Sequence, residues 1–191
     1  MVASQQTVAV QRNRDGVSLS LIEAWASVNL LRGISLAARS GLSEAEARCA
    51  QEMYRAAFSA LYVAAGTILD TSEGVHSFPR LCERLRSFWS SDPDLIALVA
   101  QVEEDVASNL TVNKLKAWRN KVIAHRTAKA AEPEFYKQNQ VALEEVAQAL
   151  DALAICLNEL SVNIDGVVYH GLESTVPGLS DDISMLFAGG T

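Results

Sequence analysis

Residues Leu143–Leu160 read LEEVAQALDALAICLNEL, and the spacing of their apolar members decides the fold. Leu143, Val146, Leu150, Leu153, Leu157 and Leu160 recur at alternating steps of three and four, which sets all of them on one face of a helix. So regular a seam suits packing against partner helices. The same period continues upstream. Leu21, Trp25, Val28 and Leu31 mark a first helix that closes near Ser40-Gly41. Ser43 with Glu46 has the pattern of a capping box, and Met53, Ala57, Leu61, Ala64 and Ile68 form the apolar face of the helix behind it. After the break at 70–75, Ser77 and Pro79 open a further helix bearing Phe78, Leu81, Leu85 and Phe88. Pro93 opens the next, with Leu95, Leu98, Val102 and Val106, and a break near Ser108-Asn109 precedes Leu115, Trp118 and Val122.

No strand pattern is convincing outside Val167-Val168-Tyr169, and no internal repeat is visible. The expected fold is therefore all-α: an antiparallel helical bundle of five to six helices over residues 18–165. Residues 1–17 are expected to be a flexible N-terminus and residues 166–191 an irregular C-terminal tail, extended or partly disordered and able to dock on the bundle.

The bounds on function are broad. A chain of 191 residues buries a sizeable core within one domain. Its three cysteines, Cys49, Cys82 and Cys156, lie far apart in no metal-binding spacing and read as small core residues. The N-terminus lacks the charged start and apolar run of a signal peptide. The longest charge-free apolar stretch, Ala56–Leu69, is fourteen residues and ends at Asp70, short of the roughly 18–20 needed to span a bilayer. A soluble cytoplasmic protein with no membrane association is the expectation.

Net charge is −7, which by itself argues against a general nucleic-acid coat protein. Its distribution alters that reading. From Val106 to Ala131 there is no acidic residue, while Lys114, Lys116, Arg119, Lys121, Arg126 and Lys129 stand together. The rest of the chain holds 10 basic and 23 acidic residues. Nucleic-acid steering depends on where charge lies, so one basic groove on an acidic bundle remains compatible with RNA. In this reading Lys114, Lys116, Lys121, Arg126 and Lys129 are the RNA-binding candidates.

Within that window Arg119, Asn120 and His125 are the catalytic candidates. An imidazole exchanges protons near neutral pH, and a guanidinium neutralises phosphorane charge through two parallel bonds. Asn120 can orient either group. RNA supplies its own nucleophile in the 2′-hydroxyl, so the chemistry requires no metal and no cofactor. On an ideal α-helix Arg119 and His125 point about 120° apart and lie about 9 Å apart. One chain would then build a loose site, whereas two chains about a two-fold axis can share a groove. The bland alternatives are an Arg119 paired with an acidic residue on a neighbouring helix, a helix-capping His125, and a Trp118 that packs in the core rather than stacking on bases. His76 reads as a solvent-facing loop residue, and His170 begins the tail.

At these residues the chain resembles the HEPN superfamily, all-helical domains in which an arginine and a following polar residue precede a histidine. Arg119-Asn120-Lys-Val-Ile-Ala-His125-Arg126 is similar to the form in its abortive-infection type U branch. Leu61-Tyr62 through Ile68-Leu69-Asp70 and Ser77-Phe-Pro-Arg-Leu81 are similar as well. The resemblance covers roughly residues 18–165. It implies a metal-independent endoribonuclease, active as a homodimer on RNA in phage defence or beside an antitoxin or defence partner protein. It makes His125 the acid–base residue, Arg119 the phosphate and transition-state residue, and Asn120 a positioning residue. Thr127 stands where one subset of the superfamily has a modifiable tyrosine, so that mode of control does not carry over. The competing functions are a catalytically inactive HEPN module that binds nucleotide, nucleic acid or protein, with the leucine seam as a docking face, and a purely structural bundle.

Overall fold

The computed structural model describes residues 5–39, 41–124 and 133–169. Among them are seven α-helices: α1 (Gln5–Arg39), α2 (Glu44–Ile68), α3 (Phe78–Phe88), α4 (Pro93–Ser108), α5 (Leu110–Trp118), α6 (Pro133–Gln138) and α7 (Leu143–Asp165). A π-helical turn, Arg119–Ala124, extends α5. No strand occurs among the described residues, and Val167-Val168-Tyr169 is irregular. The fold is all-α.

Most boundaries follow from local chemistry. Ser43 accepts a hydrogen bond from the Glu46 N–H, while the Glu46 carboxylate accepts from the Ser43 N–H, so a complete capping box starts α2. Asp92 accepts from the Leu95 N–H in front of Pro93, and Asn109 accepts from the Val112 N–H at the start of α5. Ser77 precedes α3 as expected, but its hydroxyl turns away from the helix and donates to the Asp70 carbonyl. Gly166, at φ +74°, ends α7 in the left-handed conformation that glycine adopts without strain.

α1 corrects the sequence reading. It is helical from Gln5, where a flexible stretch to residue 17 was expected, and at 35 residues it runs about 52 Å. Its N-terminal half is held from afar: Val10 and Val17 are fully buried, Asn13 accepts from the Ser77 N–H, and Arg14 pairs with Asp165 at 2.5 Å. Arg32 pairs with Glu144 at the opposite end of α7, which fixes α1 and α7 as antiparallel. Since α1 packs on α2, α3 and α7 together, its buried residues spread beyond one narrow stripe.

The seam of α7 forms the heart of the core, with Val146, Leu150, Leu153, Leu157 and Leu160 all buried. The bundle's own helices cover it, so it is not a docking face for a partner. Cys82 and Cys156 are buried as expected, and burial pushes their thiols up to about 12 and about 11. Cys49 departs from that expectation and is exposed. Helix α6 has no counterpart among the five to six expected helices, and the helix expected to run through Val122 passes into the π-helical turn at Arg119. Beyond α7, Tyr169 docks on the bundle. Its backbone N–H donates to the Asn158 side chain, its carbonyl accepts from the same amide, and its hydroxyl donates to Asp15. The rest of the tail, His170 included, lies outside the described residues.

Candidate functional site

The site grows from two elements in contact, the C-terminal half of α2 and the end of α5. Gly66 sits inside α2, where glycine costs about 1 kcal/mol relative to alanine. Its reason is the neighbour: a Cβ built at Gly66 would lie 2.3 Å from the Arg119 Cγ and 2.8 Å from its Cβ. The missing side chain lets the stem of Arg119 lie directly on α2. Arg119 then reaches along α2, and its Nη2 donates to Asp70 Oδ2 at 2.8 Å. Its Nη1 donates to Asn120 Oδ1 at 2.9 Å. One carboxylate and one amide thus orient the planar guanidinium, occupying two of its five N–H donors.

Asp70 is itself held. Its other oxygen accepts the Ser72 N–H at 2.8 Å. Hydrogen bonding to Ser72, followed by the charge and hydrogen bond of Arg119, keeps the carboxyl below its usual range despite partial burial. The Asp70 side chain is 10% exposed and that of Arg119 31%.

At Arg119 the helix changes from α to π, and this widened turn carries Arg119–Ala124 towards His125. Within Arg119–Ala124 the hydrogen bonds reach five residues instead of four, so the spacing of an ideal α-helix does not hold over this segment. His125, Arg126 and Lys129 lie outside the described residues. An acidic partner for Arg119 is present as Asp70, two residues beyond the end of the neighbouring α2.

Trp118 packs as a core residue. It is 9% exposed, its Nε1 donates to the Asn139 carbonyl at 2.7 Å, and it meets Phe58, Tyr62 and Phe135 at ring distances of 5.3–5.6 Å. The lysines disperse. Lys114 donates to the Gln140 carbonyl and lines a cavity of about 690 Å³ with Phe58, Tyr62 and Trp118. Lys116, two residues on and so on the other side of α5, lines a separate cavity of about 200 Å³ beside Leu69 and Cys82. Lys121 sets its ammonium 5.2 Å from the Phe135 ring centre. Lys114 and Lys116 thus line different cavities of the chain. His76 is exposed, in the loop before Ser77, as expected. Among the described residues no three His, Cys, Asp or Glu side chains are placed to hold a metal ion, and no helix is long and apolar enough to cross a membrane.

In the sequence Asp70 closes the apolar stretch and falls in the segment similar to the HEPN branch, but nothing there marks it as the partner of Arg119, and Gly66 has no role in that reading. A glycine inside a strong helical pattern signals close approach of another element, and that signal was available. Its partner, 53 positions on, was not.

The model of the family HEPN_AbiU2, described as AbiU2, matches residues 19–175. The chain belongs to that family. The match runs from within α1 past the end of α7, so the Asp70–Arg119–Asn120 cluster lies inside the HEPN AbiU2 domain. It agrees with the resemblance to the abortive-infection type U branch of HEPN domains. No curated protein and no solved structure matches the chain.

Proposed function

We propose that this HEPN AbiU2 protein is a metal-independent endoribonuclease of phage defence by abortive infection or of a toxin–antitoxin pair, with its site shared by two copies of the chain. The observation that carries the reading is the orientation of Arg119 by Asp70 and Asn120 at the start of the turn that leads to His125. In this reading the 2′-hydroxyl of RNA attacks the adjacent phosphorus, and the His125 imidazole of one copy takes its proton. The P–O5′ bond breaks, and the 5′-oxygen leaves with a proton from the imidazolium of the second copy. Arg119 stabilises the extra negative charge on the phosphorane oxygens. The products are a 2′,3′-cyclic phosphate and a 5′-hydroxyl. Asn120 and Asp70 act as positioning residues, and the remaining basic side chains of the window, Lys114, Lys116, Lys121, Arg126 and Lys129, attract the phosphates of RNA.

The test is RNA cleavage by the purified chain in EDTA, with the new ends identified. Cyclic phosphate ends are expected, together with a loss of about 100-fold or more in a folded His125→Ala protein. Cleavage retained by that variant overturns the proposal.

The ion pair itself favours a second reading, a non-catalytic HEPN module in which Arg119 fastens α5 to α2. Here Arg119→Ala lowers thermal stability, and neither it nor His125→Ala changes any activity on RNA.

A further inference from the structure

The cavity of about 690 Å³ beside Trp118 lies next to the candidate site yet takes no part in the chemistry above. Its volume falls within the range of small-molecule sites. Its walls are aromatic, namely Phe58, Tyr62 and Trp118, and its cations are Lys114 and Lys137. Glu145, also at the cavity, directs its carboxylate to the Ala142 N–H, which caps α7. Phe58 is the accessible ring. It is half-buried, lies 4.5 Å from the Tyr62 ring, and stacks at 20° on the exposed Tyr54.

These aromatics form an i, i+4 row on α2: Tyr54, Phe58 and Tyr62, followed by Gly66 and Asp70, which hold Arg119. Tyr62 and Gly66 are about 6 Å apart along the axis of α2, and Asp70 follows two residues beyond the end of that helix. Aromatic faces beside lysines are the composition that binds unpaired bases and their phosphates.

We propose that this cavity is a nucleobase site, which takes one unpaired base of the RNA strand against Phe58 while Lys114 and Lys137 hold the flanking phosphates. The inference rests on the nuclease reading for the presence of RNA, and it adds that the substrate is single-stranded at a position beside the cut.

The test is the binding of a labelled single-stranded RNA to the full chain carrying His125→Ala, which prevents turnover, read by fluorescence anisotropy. An abasic strand with the same number of phosphates is the comparison. The intact strand is expected to bind about ten-fold more tightly, and Phe58→Leu, which keeps the packing but removes the ring, should erase most of that difference. Lys137→Ala should weaken both strands alike. Equal binding of intact and abasic strands overturns the proposal, as does a folded Phe58→Leu protein that binds like its parent. If Phe58→Leu does not fold, photocrosslinking of iodouridine RNA to the parent decides: adducts on Phe58, Tyr62 or Trp118 support the site, and adducts found only elsewhere overturn it. A chain that cleaves RNA but ignores bases leaves the nuclease reading intact and removes this one. Base-dependent binding by a chain that never cleaves does the reverse.

Discussion

Arg119 draws its orientation from three neighbours with different physical jobs. Gly66 supplies room, Asp70 supplies charge, and Asn120 supplies an in-plane acceptor. Gly66→Ala gains helix propensity but forces a Cβ against the near end of the Arg119 stem, which cannot swing aside without moving α5. It is expected to lower stability by about 1–3 kcal/mol in spite of that gain, and to reduce cleavage while RNA binding persists; thermal melts and cleavage assays on one preparation check both. Asp70→Asn leaves Arg119 with a weaker acceptor, at a cost of about 1–2 kcal/mol. The Asp70 carboxyl is depressed in the fold, so its stabilisation is present above the unfolded value of about 3.9 and is lost as pH falls through the lower folded value. Between about pH 5 and 8 the Asp70 carboxyl, lowered in the fold, stays ionised, and in that range an imidazole such as that of His125 is the candidate to shape a pH–rate profile. The expected outcome for Asp70→Asn is a lower rate at every pH in that interval with the profile's midpoint unchanged. A displaced midpoint would show that the carboxylate itself takes part in proton transfer.

Elements were legible wherever one residue type states a local instruction. Ser43 with Glu46, Asp92 with Pro93, Asn109 and Gly166 each mark a helix end through a bond or a backbone angle within a few residues. The cap on α5 also bears on the site, since α5 presents Trp118 and leads into Arg119. Asn109→Ala removes the bond to the Val112 N–H and is expected to cost about 1 kcal/mol, measurable by denaturant titration. What escaped reading has equally definite causes. The first turns of α1 are helical because of Ser77 and Asp165, partners 64 and 151 positions away. Helix α6 has six residues, too few to stand without the contact between Phe135 and Trp118. The π turn has no residue signature of its own, and the Asp70–Arg119 bond spans 49 positions. The sequence sets Arg119 and Asn120 beside each other and His125 close behind, but it carries no mark of Asp70 as the partner that aims the arginine.

At the scale of the whole molecule, α1 and the end of α7 meet in one polar cluster. The nearly buried Arg14 donates to Asp165 and Asp15, its guanidinium lies 5.6 Å from the Tyr169 ring centre, and Tyr169 reaches Asp15. Burial alone would lower the Arg14 pKa, but its carboxylate partners raise it, so the cation persists at every working pH. For Asp165 burial acts upward, and hydrogen bonds from Arg14 and Gln11 bring the carboxyl below its usual range. That contribution, like that of Asp70, is lost only as pH falls into the acid region. Arg14→Ala leaves the Asp15 and Asp165 carboxylates without their shared cation and removes the guanidinium from beside the Tyr169 ring. It is expected to cost about 2–3 kcal/mol, less than a fully buried pair because Asp15 and part of Asp165 meet water, which lowers the melting temperature by about 5–10 °C for a chain of this size.

The uneven burial of the cysteines has a practical consequence. Two thiols are sealed in the core and held protonated, and Cys49 stands exposed near the start of α2. Since the thiolate is the reactive species, a mild alkylating spin label will mark Cys49 and spare the other two. Each chain then carries one paramagnetic centre. Dipolar coupling between centres can arise only from paired chains, so a single sharp interspin distance would give the number of copies and their symmetry without any engineered residue.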